Sequence, residues 1–168
     1  LGADDALKPT CLEDNMFWIL AHQDVKVLFS KIEVYKNKFR KEFLISTIPI
    51  KPDSNQGILA EGRSALSQYK MLLVSDRIHF SPSLFISRRT ILSVGGFDEE
   101  YRDFEDYPLW LKLTRNDIRL NFMDKVTVNY RTHLNAVNNM DRKLIITPNY
   151  FKSEDFRRKY TYPYLPFL

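Results

Sequence analysis

Apolar positions along this chain fall into blocks whose spacing predicts an alternation of helices and short strands. Pro9 opens a block in which Leu12, Met16, Ile19 and Leu20 recur as an apolar stripe at helical intervals, with proline suited to a first turn. Val25 to Tyr35 is rich in β-branched and aromatic residues and reads as one strand or two, its alternation slipping near Phe29. Residues 48–57, with Pro49, Pro52, Asp53, Asn55 and Gly57, form a loop. Ala60 to Val74 is a second helix with Leu66, Tyr69 and Leu73 on one side. A turn at His79 to Ser83 leads into a buried strand at Leu84-Phe85-Ile86. Arg88 to Val94 is a short helix stopped by Gly95-Gly96, residues that accept the left-handed backbone of a helix end. Glu105 to Arg115 is the next helix, Leu109 and Leu113 inward beside Trp110, with Pro108 tolerable because it falls in the first turn. Arg119 to Phe122 and Lys125 to Tyr130 read as two short strands, and Ser153 to Lys159 as a last helix.

The 168 residues suffice for one domain with a sizeable core, 1–168, in which 136–168 is an extension packing on the rest. A hydrophobic fraction of 44% argues against disorder over most of the length. The net charge of +4 arises from 25 basic residues scattered among 21 acidic ones, without a basic stripe, so nucleic acid is not an expected partner. The lone Cys11 excludes an internal disulfide and a cysteine zinc site, and it fits a reducing compartment. No apolar run approaches the ~20 residues of a membrane span. The expected location is the cytoplasm, with peripheral contact at the inner face of the membrane allowed by the weakly basic surface and the aromatic tail. The start at Leu1, without methionine, reads as a piece cut from a longer protein.

Three segments carry candidate chemistry. Asp4-Asp5 could hold a cation, or simply punctuate a turn before a helix. Glu105-Asp106 stands at a helix start, where acids are favoured without any function. The double glycine, the acidic run Asp98-Glu99-Glu100 before that pair, and Tyr107-Pro108-Leu109-Trp110 after it, set the pair apart. Paired glycines let backbone approach a ligand closely. Trp110 offers an indole face on which a pyranose could stack, although its spacing fits core packing as well. Tyr130-Arg131-Thr132-His133 follows the last strand, with Arg131 and His133 sharing parity.

The run from Ser81 to Trp110, together with Leu1-Gly2-Ala3-Asp4-Asp5-Ala6-Leu7-Lys8-Pro9 and Tyr130-Arg131-Thr132-His133, resembles family 2 glycosyltransferases of the GT-A fold over roughly residues 1–135. The resemblance implies an α/β fold: a partial GT-A-like mixed sheet flanked by helices, supplying the acceptor side and lacking the N-terminal nucleotide-binding βαβ half. It implies Asp106 as the catalytic base that takes the acceptor proton, with Glu105 orienting acceptor or loop. Gly95, Gly96, Asp98, Trp110 and Arg131 fall to substrate binding. Asp4 and His133 fall to a Mg²⁺ or Mn²⁺ that offsets the charge of the leaving diphosphate. The implied activity is inverting transfer from a nucleotide-diphosphate sugar to a glycan or lipid-linked acceptor in polysaccharide or glycoconjugate synthesis, with the missing half of the same polypeptide as partner. Alone, the piece is expected to be inactive. Two positions depart from the pattern: Gly2 stands where the first aspartate of the metal motif is usual, and Pro108 replaces a polar or small residue. The alternative is a glycan-binding or scaffold domain that kept the fold and lost the chemistry.

Overall fold

The computed structural model describes residues 2–50, 57–101, 105–133 and 148–167. Parts of three expected features, the loop at 51–56, the stretch at 102–104 between the acidic run and Glu105, and the extension at 136–147, lie outside the described residues.

The chain forms an α/β structure around a mixed open sheet. In order along the chain come β1 (Ala6–Leu7), α1 (Cys11–Ala21), β2 (Val27–Lys36), β3 (Leu44–Ile48), α2 (Ala65–Val74), β4 (Phe85–Ile86), α3 (Arg88–Ser93), α4 (Asp106–Arg115), β5 (Leu120–Thr132) and α5 (Pro148–Tyr160). The strand order is β1-β5-β2-β3, with β4 also pairing β2. β2 and β5 run parallel from Val27↔Leu120 to Lys36↔Thr132, and every other pairing is antiparallel.

The two strands expected at 119–122 and 125–130 are one 13-residue strand. Its register against β2 shifts on either side of Lys31, so the interruption visible in the sequence is a bulge inside a continuous ladder. There Lys31 pairs with Asp124. The slip near Phe29 has a different origin: Val27, Leu28, Phe29 and Ser30 are all buried, so both faces of β2 are covered at that end and alternation is lost.

α1 turns another face inward than its apolar residues predict, and on α2 Leu73 and Tyr69 face the core as expected while Leu66 does not. On α1 the buried residues are Cys11 and Asn15, the latter's Nδ2 donating to the carbonyl of Cys11 at 2.7 Å, while Leu12, Met16 and Leu20 are exposed. α1 is tied to β5 by a polar contact instead, Lys125 meeting Asp14 at 2.6 Å, and just before the helix Lys8 N–H donates to Thr127 O at 2.7 Å. On α2, capped by Ser64 accepting from Ser67 N, Leu66 is exposed and Gln68 is fully buried. Gln68 fits inside because backbone satisfies it: Nε2 donates to Ile58 O at 3.0 Å and Leu120 O at 2.8 Å, and Oε1 accepts from Leu120 N at 2.9 Å. Gln68→Leu should lower the unfolding free energy by about 3 kcal/mol, because buried backbone groups then lose their partners. A urea titration measures it; a change below ~1 kcal/mol would mean that water or a backbone shift replaces the amide.

The core joins Val27, Phe29 and Ile32 of β2, Leu120 and Val128 of β5, Leu72 of α2, Leu109, Trp110 and Leu113 of α4, and Phe156 of α5. α4 is thus fixed from below, and its N-terminus is presented beside the turn at Ser81–Ser83. Among the described residues no helix is long and apolar enough to cross a membrane.

Candidate active-site cleft

The first residue of α4, Asp106, is half-buried. One carboxylate oxygen accepts from the Tyr107 N–H at 2.8 Å, and the other accepts from the hydroxyl of Ser81. Two neighbours therefore orient the group at the N-terminus of α4. It lies in a cleft of about 320 Å³ lined by Gly2, Ser81, Leu84, Phe97, Glu105 and Asp106, with Pro82 and Trp110 completing the wall. Glu105 is exposed at the rim and makes no side-chain cap bond to the helix.

The N-terminal acids meet the end of β5, more than a hundred residues on. His133 Nε2 stands 3.1 Å from Asp4 Oδ2, both side chains partly exposed. Asp5 accepts from the backbone N–H of Arg131 at 2.9 Å and from that of Gly2 at 3.2 Å, which folds the segment back toward the cleft. A carboxylate oxygen and an imidazole nitrogen make a partial donor set that suits Mn²⁺ better than the oxygen-seeking Mg²⁺. Among the described residues there is no group of three or more metal-ligating side chains. Behind this segment Lys8 and Tyr35 both reach Glu33 at 2.6 Å. Bonding to Glu33, then burial, pushes the Tyr35 hydroxyl up to about 12. Burial pushes Glu33 up, but the bonds from Lys8 and Tyr35 outweigh it and hold the carboxyl below its usual range.

Of the five residues expected to bind substrate, Gly95, Gly96, Asp98 and Arg131 are not in the lining of this cleft, and Trp110 borders it from within the core. Trp110 is 0% exposed and edge-on to Phe29, with ring centroids 5.0 Å apart, so its faces are closed to a sugar. Asp98 is a strut: it accepts from Tyr160 OH and from Glu100 N–H at 3.2 Å, with Lys159 3.7 Å away. Burial pushes its carboxyl up, yet these bonds and charges overcome that and hold it below the ordinary value. Gly95 and Gly96 adopt φ of +83° and +75° and end α3, as their type predicts; Phe97 lines the cleft in their place. The Arg131 guanidinium lies over the Phe39 ring, 4.4 Å from its centre.

Sequence reasoning missed Ser81 and Asp76. Burial pushes the Asp76 carboxyl up; the Ile78 N–H at 3.0 Å offsets part of this, and the charge of Asp106 adds to the rise. A serine in a Ser-Pro turn and a lone aspartate after a helix carry no signal until the turn is folded against α4. No protein-family model matches this chain, and no curated protein matches it.

Proposed function

We propose that this chain is the acceptor side of an inverting, metal-assisted glycosyltransferase with a partial GT-A-like fold. The observation that carries the reading is that one cleft holds both Gly2, in the N-terminal acidic segment, and Asp106, at the start of α4, while Asp4 meets His133 beside that segment. In this reading Asp106 takes the proton from an acceptor hydroxyl as the oxygen bonds to the anomeric carbon, and the nucleoside diphosphate departs with the bonding electron pair. Ser81 holds the carboxylate toward the cleft, and Glu105 at the rim bonds the acceptor. Asp4 and His133 would hold a divalent cation, which supplies neutralising charge for the diphosphate when bound. Most of the rate would come from positioning and charge stabilisation, since an aspartate is a weak base.

Mn²⁺ binding tests the metal arm without any turnover. Titrated into isotope-labelled chain, Mn²⁺ should broaden the magnetic-resonance signals of His133 and residues 2–7 before all others. Asp4→Asn and His133→Ala should each weaken binding by about tenfold or more, since even the outer partners of metal ligands are worth that much. Broadening centred on Asp98 to Glu100 instead would overturn the assignment. Gly2 at the first acidic position favours the second reading, a glycan-binding scaffold without catalysis; it keeps the cleft but needs neither the cation nor the base.

A further inference from the structure

A second recess lies beside the cleft. The end of α2, the first turn of α4 and the C-terminal segment enclose about 470 Å³, a size typical of small-molecule pockets. Its walls include Leu73, Val74, Tyr107, Phe156 and Leu165, with Asp76 and Arg157 as the charged groups. Val74 is 63% exposed and Leu165 39%, so apolar side chains stand at the mouth in water. Asp76 is drawn partly out of solvent; its carboxylate accepts from Ile78 N, and among the described residues no cation lies within ion-pair distance of it. One acid and one base, opposite in charge, on a wall otherwise made of apolar and hydroxyl-bearing side chains suit a neutral ligand. Asp76 offers an acceptor for a ligand N–H or O–H, which a dry setting strengthens.

The recess is one residue from the chemistry proposed above. Tyr107 forms its wall, Asp106 lines the cleft, and the charge of Asp106 reaches Asp76. We infer that this recess binds an apolar or aromatic group of the acceptor, with a hydrogen-bond donor directed at Asp76, while the attacking hydroxyl lies at Asp106. The acceptor assignment rests on the transferase reading; the recess as a site for a neutral apolar ligand does not.

The test uses the fluorescent probe N-phenyl-1-naphthylamine, a neutral apolar molecule with one N–H donor. Val74→Arg and Leu165→Arg, both at the exposed mouth, should each weaken probe binding tenfold or more without moving the thermal midpoint. Asp106→Asn should leave probe binding unchanged, which separates the recess from the base. Octyl β-glucoside below its micelle concentration should displace the probe, and methyl β-glucoside should not. Because α1 also exposes apolar residues, Phe17→Arg is the control and should change nothing. Binding lost in Phe17→Arg but kept in Val74→Arg would overturn the site. Probe binding in the recess without displacement by the octyl glycoside would overturn the acceptor assignment.

Discussion

Asp106→Asn is expected to lower the rate of glycosyl transfer by about 10²–10⁴-fold in a polypeptide that joins this chain to a nucleotide-sugar-binding half, with donor affinity unchanged. The asparagine oxygen can still accept from Ser81 or from Tyr107 N–H, so the start of α4 should keep its place. The amide cannot take a proton, and the attacking oxygen then stays a hydroxyl at the moment the new bond forms. Single-turnover kinetics with a labelled nucleotide sugar measure the rate, and calorimetry with the donor measures the affinity. Ser81→Ala should lower the rate less, since it removes one oriented contact and leaves the base. Unchanged turnover in Asp106→Asn would transfer the case to the scaffold reading, because that reading gives Asp106 no proton to move. A loss confined to donor affinity would also count against the base assignment: Asp106 lies in the cleft with Gly2, whereas the proposed diphosphate contacts, Asp4 and His133, meet at the end of β5.

How much of this was legible in the sequence depends on what each residue answers to. The helix end at Gly95-Gly96 could be read directly, because a positive φ is a local demand that glycine meets. The start of α4 could be read for a similar reason, an acid pair and a proline confined to one turn. The face of α1, and Leu66 on α2, were misread because apolar spacing identifies a helix without saying which side finds a partner. Gln68 goes inside and Leu66 outside because the carbonyl of Ile58 and the start of β5 at Leu120 need an amide, a requirement set 10 and 52 residues away. The two strands at 119–130 merge because a bulge keeps the ladder running through residues that interrupt the alternation. In the site, the resemblance implied a common role for Asp4 and His133, and the two side chains do lie 3.1 Å apart. Asp98 could not be placed, since its role is set by Tyr160 and Lys159 on α5, a helix whose docking no local pattern announces.

Trp110→Ala should be the most destabilising single change described for this chain, about 3–5 kcal/mol by urea unfolding followed by circular dichroism. The side chain is completely buried, and Phe29, against which it lies edge-on, is also 0% exposed and in turn meets Phe80 at 5.8 Å. Removing the indole opens a void at the junction of α4, β2 and the turn that carries Ser81, so the two groups that set the geometry of Asp106 lose their common support. Trp110→Phe should cost less, about 1–2 kcal/mol, because it keeps a ring in place and deletes an indole N–H that has no hydrogen-bond partner among the described residues. The pair of variants separates the two roles the sequence left open. If Trp110 is a sugar platform, alanine weakens acceptor binding and leaves the unfolding midpoint where it was. If it is the buried support, the midpoint falls first, and any loss of transfer tracks the fraction of protein still folded.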